Sequence, residues 1–268
     1  MINTIRRHYP EYLMEAAGLG IFMVAAAVIT AAVVHPSSPI SQIDPLLQRS
    51  LIGIGMGLTA ISLIYSPWGK QSGAHYNPAV TLTFLHLGKV KPKDAFCYVI
   101  AQLLGGSLGI LIAAKLLGNV LSHPSVDYIV TIPGTQGAII AFFAELVISF
   151  GLMMTVLTVS NTARLARWTG LFAGALVATY IIIEAPLSGM SMNPARTIAS
   201  AIPANNWTAI WVYLTAPILG MFLASEIYVR IKEQQAVCCA KLHHQNHKRC
   251  IFRCGFKAQK LSDQLPDI

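Results

Sequence analysis

The triplet Asn-Pro-Ala occurs twice in the chain, at Asn77-Pro78-Ala79 and at Asn193-Pro194-Ala195. Proline suits the first turn of a helix, because the N–H it lacks would be unpaired there and its φ is already helical. Asparagine is a good N-cap, so each triplet reads as a helix start. The apolar segments that follow, Pro78 to Leu87 and Pro194 to Ala201, fall well short of the roughly 20 residues a membrane crossing needs. If both helices begin near the middle of a bilayer, two sets of free N–H groups and two positive dipole ends face one spot. That arrangement repels a cation and accepts an oxygen lone pair. A water held by two donors at its oxygen turns both hydrogens outward and cannot take a proton from its neighbour.

The backbone just before each helix, Gly73, Ala74 and His75 in one case and Gly189, Met190 and Ser191 in the other, is expected to be extended. At membrane depth its carbonyls must line a wet cavity or be buried in protein. Carbonyl acceptors leading to two Asn amides make a path for a small neutral hydrogen-bonding molecule. The bland alternative is that both Asn-Pro pairs are mere caps. Arg196, three residues after Asn193, would be costly against lipid, so it faces a pore or a packing salt bridge. Glu15 and Glu145 are intramembrane carboxylates in equivalent places, open to a proton-relay or a structural role. Nothing resembles a nucleotide, phosphate or nucleophile site, and no enzyme is expected.

These residues need a membrane scaffold, and the composition supplies one. Of 268 residues 54% are hydrophobic and 11% charged, against about 25% charged in an average soluble domain. That excludes disorder and argues against a water-soluble globule. The net charge of +8 lies in short stretches between apolar runs, so no nucleic-acid partner is implied. Apolar length and Pro, Gly and charged boundaries predict an all-α membrane protein with six spans at about 11–34, 46–66, 94–117, 136–160, 168–185 and 207–231. The first is too long for a signal-peptide core and lacks a cleavage pattern at His35-Pro36. Residues 1–10 form an N-terminal segment, and 232–268 a tail. With both termini on one side, sixteen of the nineteen Lys and Arg fall there, and only Arg49 and Lys115 fall clearly opposite. The positive-inside rule then makes both termini cytoplasmic, in a plasma or inner membrane.

The halves, about 11–117 and 136–231, repeat the same order: a span with a carboxylate, a second span, an Asn-Pro-Ala segment, a third span. Three crossings per half force opposite orientations, so the arrangement is an inverted repeat whose two re-entrant half-helices dip in from opposite faces.

Ser72-Gly-Ala-His-Tyr-Asn-Pro-Ala-Val-Thr-Leu and Ser188-Gly-Met-Ser-Met-Asn-Pro-Ala-Arg-Thr, as a pair, resemble the signature of the major intrinsic protein family, the aquaporins and aquaglyceroporins. The resemblance covers roughly residues 10–231. It implies a homotetramer with a pore in each subunit, conducting water and small neutral solutes and excluding ions by half-helix dipoles and an Arg. It makes Glu15 and Glu145 acceptors that tie down the re-entrant loops, and Arg196 the cation of the outer constriction. Met56, Ile181 or Tyr180, and Met190 join Arg196 in that filter. Water channels of this family carry an aromatic on the second span and a His on the fifth, whereas here no His lies between His123 and His243. Met and an aliphatic residue make a less polar filter, so glycerol, ammonia or peroxide are alternative solutes. A rival of another class is a proton-coupled transporter using Glu15 and Glu145. Phe22 reads as a pore-wall aromatic or a core Phe.

The tail holds Cys238, Cys239, Cys250 and Cys254, four of the five cysteines, in no disulfide framework. Cys239, His243, Cys250 and Cys254 offer i, i+4 ligand pairs for a tetrahedral zinc site; lipid attachment through basic residues and acylated Cys, or no structure, are the alternatives. No other cofactor is implied. As every pore feature lies upstream of Arg230, the tail is expected to be dispensable for conduction.

Overall fold

The structure, a computed structural model, describes residues 2–256, with side chains from residue 5. Its main helices are α1 (Ile2–Val34), α2 (Pro45–Tyr65), α3 (Pro78–His86), α4 (Pro92–Leu117), α5 (Ala138–Ser160), α6 (Thr169–Ile183), α7 (Pro194–Ala204) and α8 (Ile210–Lys232). Six of these, α1, α2, α4, α5, α6 taken with the turn Ala166–Trp168 before it, and α8, are long and apolar enough to cross a membrane; α3 and α7 are not. Several starts follow from capping: Asp44 Oδ1 accepts from Leu46 N at 2.8 Å ahead of Pro45, and Asn77 and Asn193 cap α3 and α7 ahead of Pro78 and Pro194.

Large apolar side chains point outward along the spans, among them Leu13, Leu104, Leu116, Phe143 and Val147. In water this would be a large exposed patch; in a bilayer it is the lipid-facing surface. Helix pairs instead meet through small residues, because lipid offers no hydrophobic drive and close backbone packing must supply the attraction. A Cβ added at Gly105 or Gly109 of α4 would meet the backbone of Ala16 or Gly20 on α1, and one at Gly57 of α2 would lie 2.7 Å from the Gly174 carbonyl of α6. In the second half Gly220 of α8 lies against the Leu146 and Phe150 backbone of α5.

The packing is two-fold in character. α1 pairs with α4 as α5 pairs with α8, α2 pairs with α6 across the halves, and each half-helix leans on the last span of the other half, α3 on α8 and α7 on α4. Helix α1 starts nine residues earlier than the expected 11. Pro10 costs one backbone hydrogen bond, but the extra turns are held sideways, where His8 Nδ1 lies 2.7 Å from Asp94 Oδ1 and the buried Glu11 pairs with Arg249. The tail is the larger departure. From Val237 to Phe252 it packs against the start of α1 and the loop ahead of α3, with Val237, Cys239, Ala240 and Lys241 buried.

Candidate functional site

Each re-entrant loop is held by one carboxylate. Glu15 Oε1 accepts from Ser72 Oγ (2.7 Å) and His75 N (3.1 Å), and Oε2 from Tyr76 N (2.6 Å) and Gln102 Nε2 (2.8 Å). Glu145 repeats the pattern: Oε1 accepts from Ser188 Oγ (2.8 Å) and Ser191 N (2.6 Å), and Oε2 from Met192 N (2.7 Å). Tyr98 and Tyr213 hydroxyls donate to the Ser72 and Ser188 carbonyls at 2.7 and 2.6 Å.

These carboxylates also account for a departure from the expected extended backbone. Gly73, Ala74 and Tyr76 have φ of 104°, 57° and 47°, and Gly189, Met190 and Met192 have 78°, 52° and 54°. An extended strand would turn successive N–H groups to opposite sides. Left-handed residues on both sides of His75, and of Ser191, gather His75 and Tyr76 N–H, or Ser191 and Met192 N–H, onto one anion.

The two Asn residues are cross-linked. Asn77 Nδ2 donates to the Met192 carbonyl at 2.7 Å and Asn193 Nδ2 to the Tyr76 carbonyl at 2.8 Å, while their Oδ1 atoms accept from Ala79 N (2.8 Å) and Ala195 N (3.1 Å). Each amide therefore has its oxygen and one N–H committed, which fixes its plane and leaves one N–H. Both Asn line a single cavity of about 340 Å³.

Met56, Ile181, Met190 and Arg196 line the same cavity, as do Phe22, Ala74, His75, Gly189 and Ser191. Tyr180 is not brought to it. One residue's shift on a helix turns the side chain by about 100°, and the Tyr180 hydroxyl lies toward Gly151 of α5. Arg196 donates its backbone N–H to Asn193 Oδ1 at 3.3 Å, and its Nη1 has no hydrogen-bond partner among the described residues. Glu15 and Glu145 are buried and do not line the cavity.

Leu242 also lines the cavity. Sequence patterns end the pore residues at Arg196, and this tail residue escapes them because nothing in its local surroundings marks it. Leu242 N donates to the Gly73 carbonyl at 3.1 Å, and the Ala240 carbonyl lies 2.8 Å from His75 Nε2. The Phe252 ring stacks on His75 with centroids 5.4 Å apart and planes within 10°. Farther out, Cys238 N donates to Asn161 Oδ1 (2.7 Å) and Arg253 N to the Lys89 carbonyl (2.9 Å). Residues 238–253 thus pack on the pore loop, a contact that the sequence reading of the tail did not include.

Within the tail, Cys239, His244, Cys250 and Cys254 bring one ligand atom each to within 4.8 Å of one another. His244 replaces the expected His243. The i, i+4 argument presumed a helix, but beyond the short turn Gln234–Ala236 this segment is irregular, and the His243 ring is turned edge-on to Tyr65 at 5.1 Å. Cys239 and Cys250 Sγ are 3.6 Å apart, and Cys254 Sγ is 3.0 Å from His244 Nε2. Hydrogen bonding from Cys239 holds the Cys250 and Cys254 thiols below their usual range, and that same role as donor raises Cys239.

Six crossings and two half-helices joined end to end at one narrow cavity define a polytopic membrane protein of the pore type. Residues 4–228 match the family described as Major intrinsic protein. The chain is 39% identical to Aquaporin NIP6-1 of Arabidopsis thaliana over 187 residues, 69% of this chain and 59% of that one. It is 33% identical to Aquaporin NIP1-2 of the same plant over 196 residues, 72% of this chain and 66% of that one. The matched stretch thus spans about three fifths to two thirds of those relatives. The X-ray structure of the aquaglyceroporin from Plasmodium falciparum superposes with a TM-score of 0.71 at 22% identity, covering 85% of this chain and 98% of that one. The chain belongs to the major intrinsic protein family, a family of membrane channels and not of enzymes, and its fold is aquaporin-like.

Proposed function

We propose that the protein is a passive channel for water and other small neutral solutes, with Asn77, Asn193 and Arg196 as its fixed donors. The observation that carries this reading is the reciprocal Asn77–Met192 and Asn193–Tyr76 hydrogen bonding, which points the N-terminal ends of α3 and α7 at one cavity. A solute oxygen passing there meets two amide N–H groups and two positive helix ends. Cations, protons included, meet the same positive potential without a compensating anion, since Glu15 and Glu145 are turned into the loops. Saturation of both carboxylates by loop donors also counts against the proton-coupled transporter.

Met56, Ile181, Met190 and Arg196 are proposed as the outer filter. Three apolar side chains around one guanidinium offer little competition for water's second hydrogen bond, so solutes with carbon backbones, glycerol first, pass as well. Orientation with both termini cytoplasmic, in a plasma or inner membrane, and assembly as a homotetramer belong to the same proposal; the first rests on the basic residues around the terminal face. Stopped-flow light scattering of proteoliposomes, challenged with sucrose and then glycerol, tests it. Flux that saturates or follows an imposed pH gradient would overturn the passive channel.

A further inference from the structure

We propose that Cys239, His244, Cys250 and Cys254 bind a single zinc ion, and that the metal-clamped tail closes the pore at the end bounded by His75. Zn–S bonds of about 2.3 Å and Zn–N bonds of about 2.0 Å place tetrahedral ligand atoms roughly 3.5 Å apart. The Cys239–Cys250 sulfurs at 3.6 Å and the Cys254–His244 pair at 3.0 Å, all four atoms within 4.8 Å, bracket that spacing. Three thiolates and an imidazole are the soft donor set that favours zinc. Binding forms three Zn–S bonds and one Zn–N bond, releases to solvent whatever protons the three sulfurs and the imidazole nitrogen still carry, and leaves the site with one net negative charge. A basic side chain lies beside it: Lys241 is buried, and its Nζ donates to the carbonyls of Lys248 (3.2 Å) and Arg249 (2.7 Å).

The clamp joins both ends of the tail to the pore loop. Cys239 precedes Ala240 and Leu242, whose carbonyl and N–H occupy His75 and Gly73, and Cys250 and Cys254 flank Phe252, whose ring covers His75. So His75, which lines the cavity, is taken by the tail, as is the carbonyl of Gly73, which the cavity lining does not include. A segment of about twenty residues with one helical turn has too little core of its own to hold such a shape, and a structural metal supplies that free energy.

The closure half rests on the channel reading above, and the experiment separates the two. The full chain, purified and reconstituted, is analysed for zinc by mass spectrometry of the metal and for water flux before and after a high-affinity chelator. Stoichiometric zinc is expected, with flux rising several-fold on chelation and falling again on adding zinc. Cys239→Ser with Cys254→Ser should lack the metal and conduct freely, Phe252→Ala should keep the metal and conduct freely, and Cys97→Ser should match the parent. A chain without zinc, or one with a Cys239–Cys250 disulfide, overturns the site. Zinc that can be stripped with no change in flux, when a chain ending at Glu233 conducts no faster, overturns the closure. If the shortened chain passes neither water nor glycerol, the channel reading falls and closure with it, while the zinc count still decides the site. Should the double Cys variant fail to fold, chelation of the parent answers the same question.

Discussion

Replacing Glu145 by Gln changes one oxygen to NH2 with almost no change in shape, and the structure gives the cost. The variant does best by keeping its carbonyl at the Oε1 position, where Ser188 Oγ and Ser191 N both donate. The new NH2 then faces Met192 N at the 2.7 Å where Oε2 had been, donor against donor. Met192 N–H is left buried without an acceptor, a penalty of about 1–3 kcal/mol. By soluble-domain scaling this lowers the unfolding midpoint by about 2–12 °C. Because the Met192 carbonyl, in the next peptide unit, accepts from Asn77, a shift of Met192 also loosens the Asn77 amide, and water flux should fall alongside stability. Glu15→Gln should cost a similar amount or more: Tyr76 N–H is orphaned, and Gln102 cannot turn its amide to the new NH2 without giving up its bond to Thr81 Oγ1. Thermal unfolding in detergent and stopped-flow flux measure both variants, with Glu145→Asp as a check on side-chain reach. Glu145→Gln as stable and as permeable as the parent would refute the reasoning, since it would mean the carboxyl already carries a proton and presents no second acceptor to Met192.

Three further outcomes are expected. In a chain ending at Glu233, Asn77→Asp combined with Asn193→Asp puts negative charge at the paired helix ends and should raise proton leak more than Arg196→Val does, read with an entrapped pH dye; equal leak would place the barrier elsewhere. In a tail-shortened background Ile181→His with Met56→Phe should cut glycerol flux while water flux stays within a few-fold, and a parent filter that already blocks glycerol completely would show those residues do not set selectivity. Gly105→Val drives a branched side chain into the Ala16 backbone, an overpacking cost of about 1–3 kcal/mol or more; reduced yield of folded protein is expected, and wild-type stability would show that α1 and α4 are not in close contact.

What the chain determines by itself is whatever rests on local chemistry and one-dimensional spacing. Six apolar runs, two Asn-Pro-Ala caps, the inverted order of the halves and the basic bias of one side are periodic or contiguous signals, and they are enough for the fold. Tertiary structure decides everything that depends on where a backbone turns. That Ile181 and not Tyr180 lines the cavity is a rotation of one helix position, below the precision of aligning loops of unequal length. The left-handed residues Ala74, Tyr76, Met190 and Met192 carry no sequence mark, because two distant carboxylates, not intrinsic preference, hold them there. His244 takes the place of His243 since an irregular segment has no fixed period by which to count ligands. Least legible is the tail, which looks in sequence like an appendage: its hold on His75 and Gly73 comes from residues some 165 positions apart in sequence, and only the closed shape of the pore mouth brings them together.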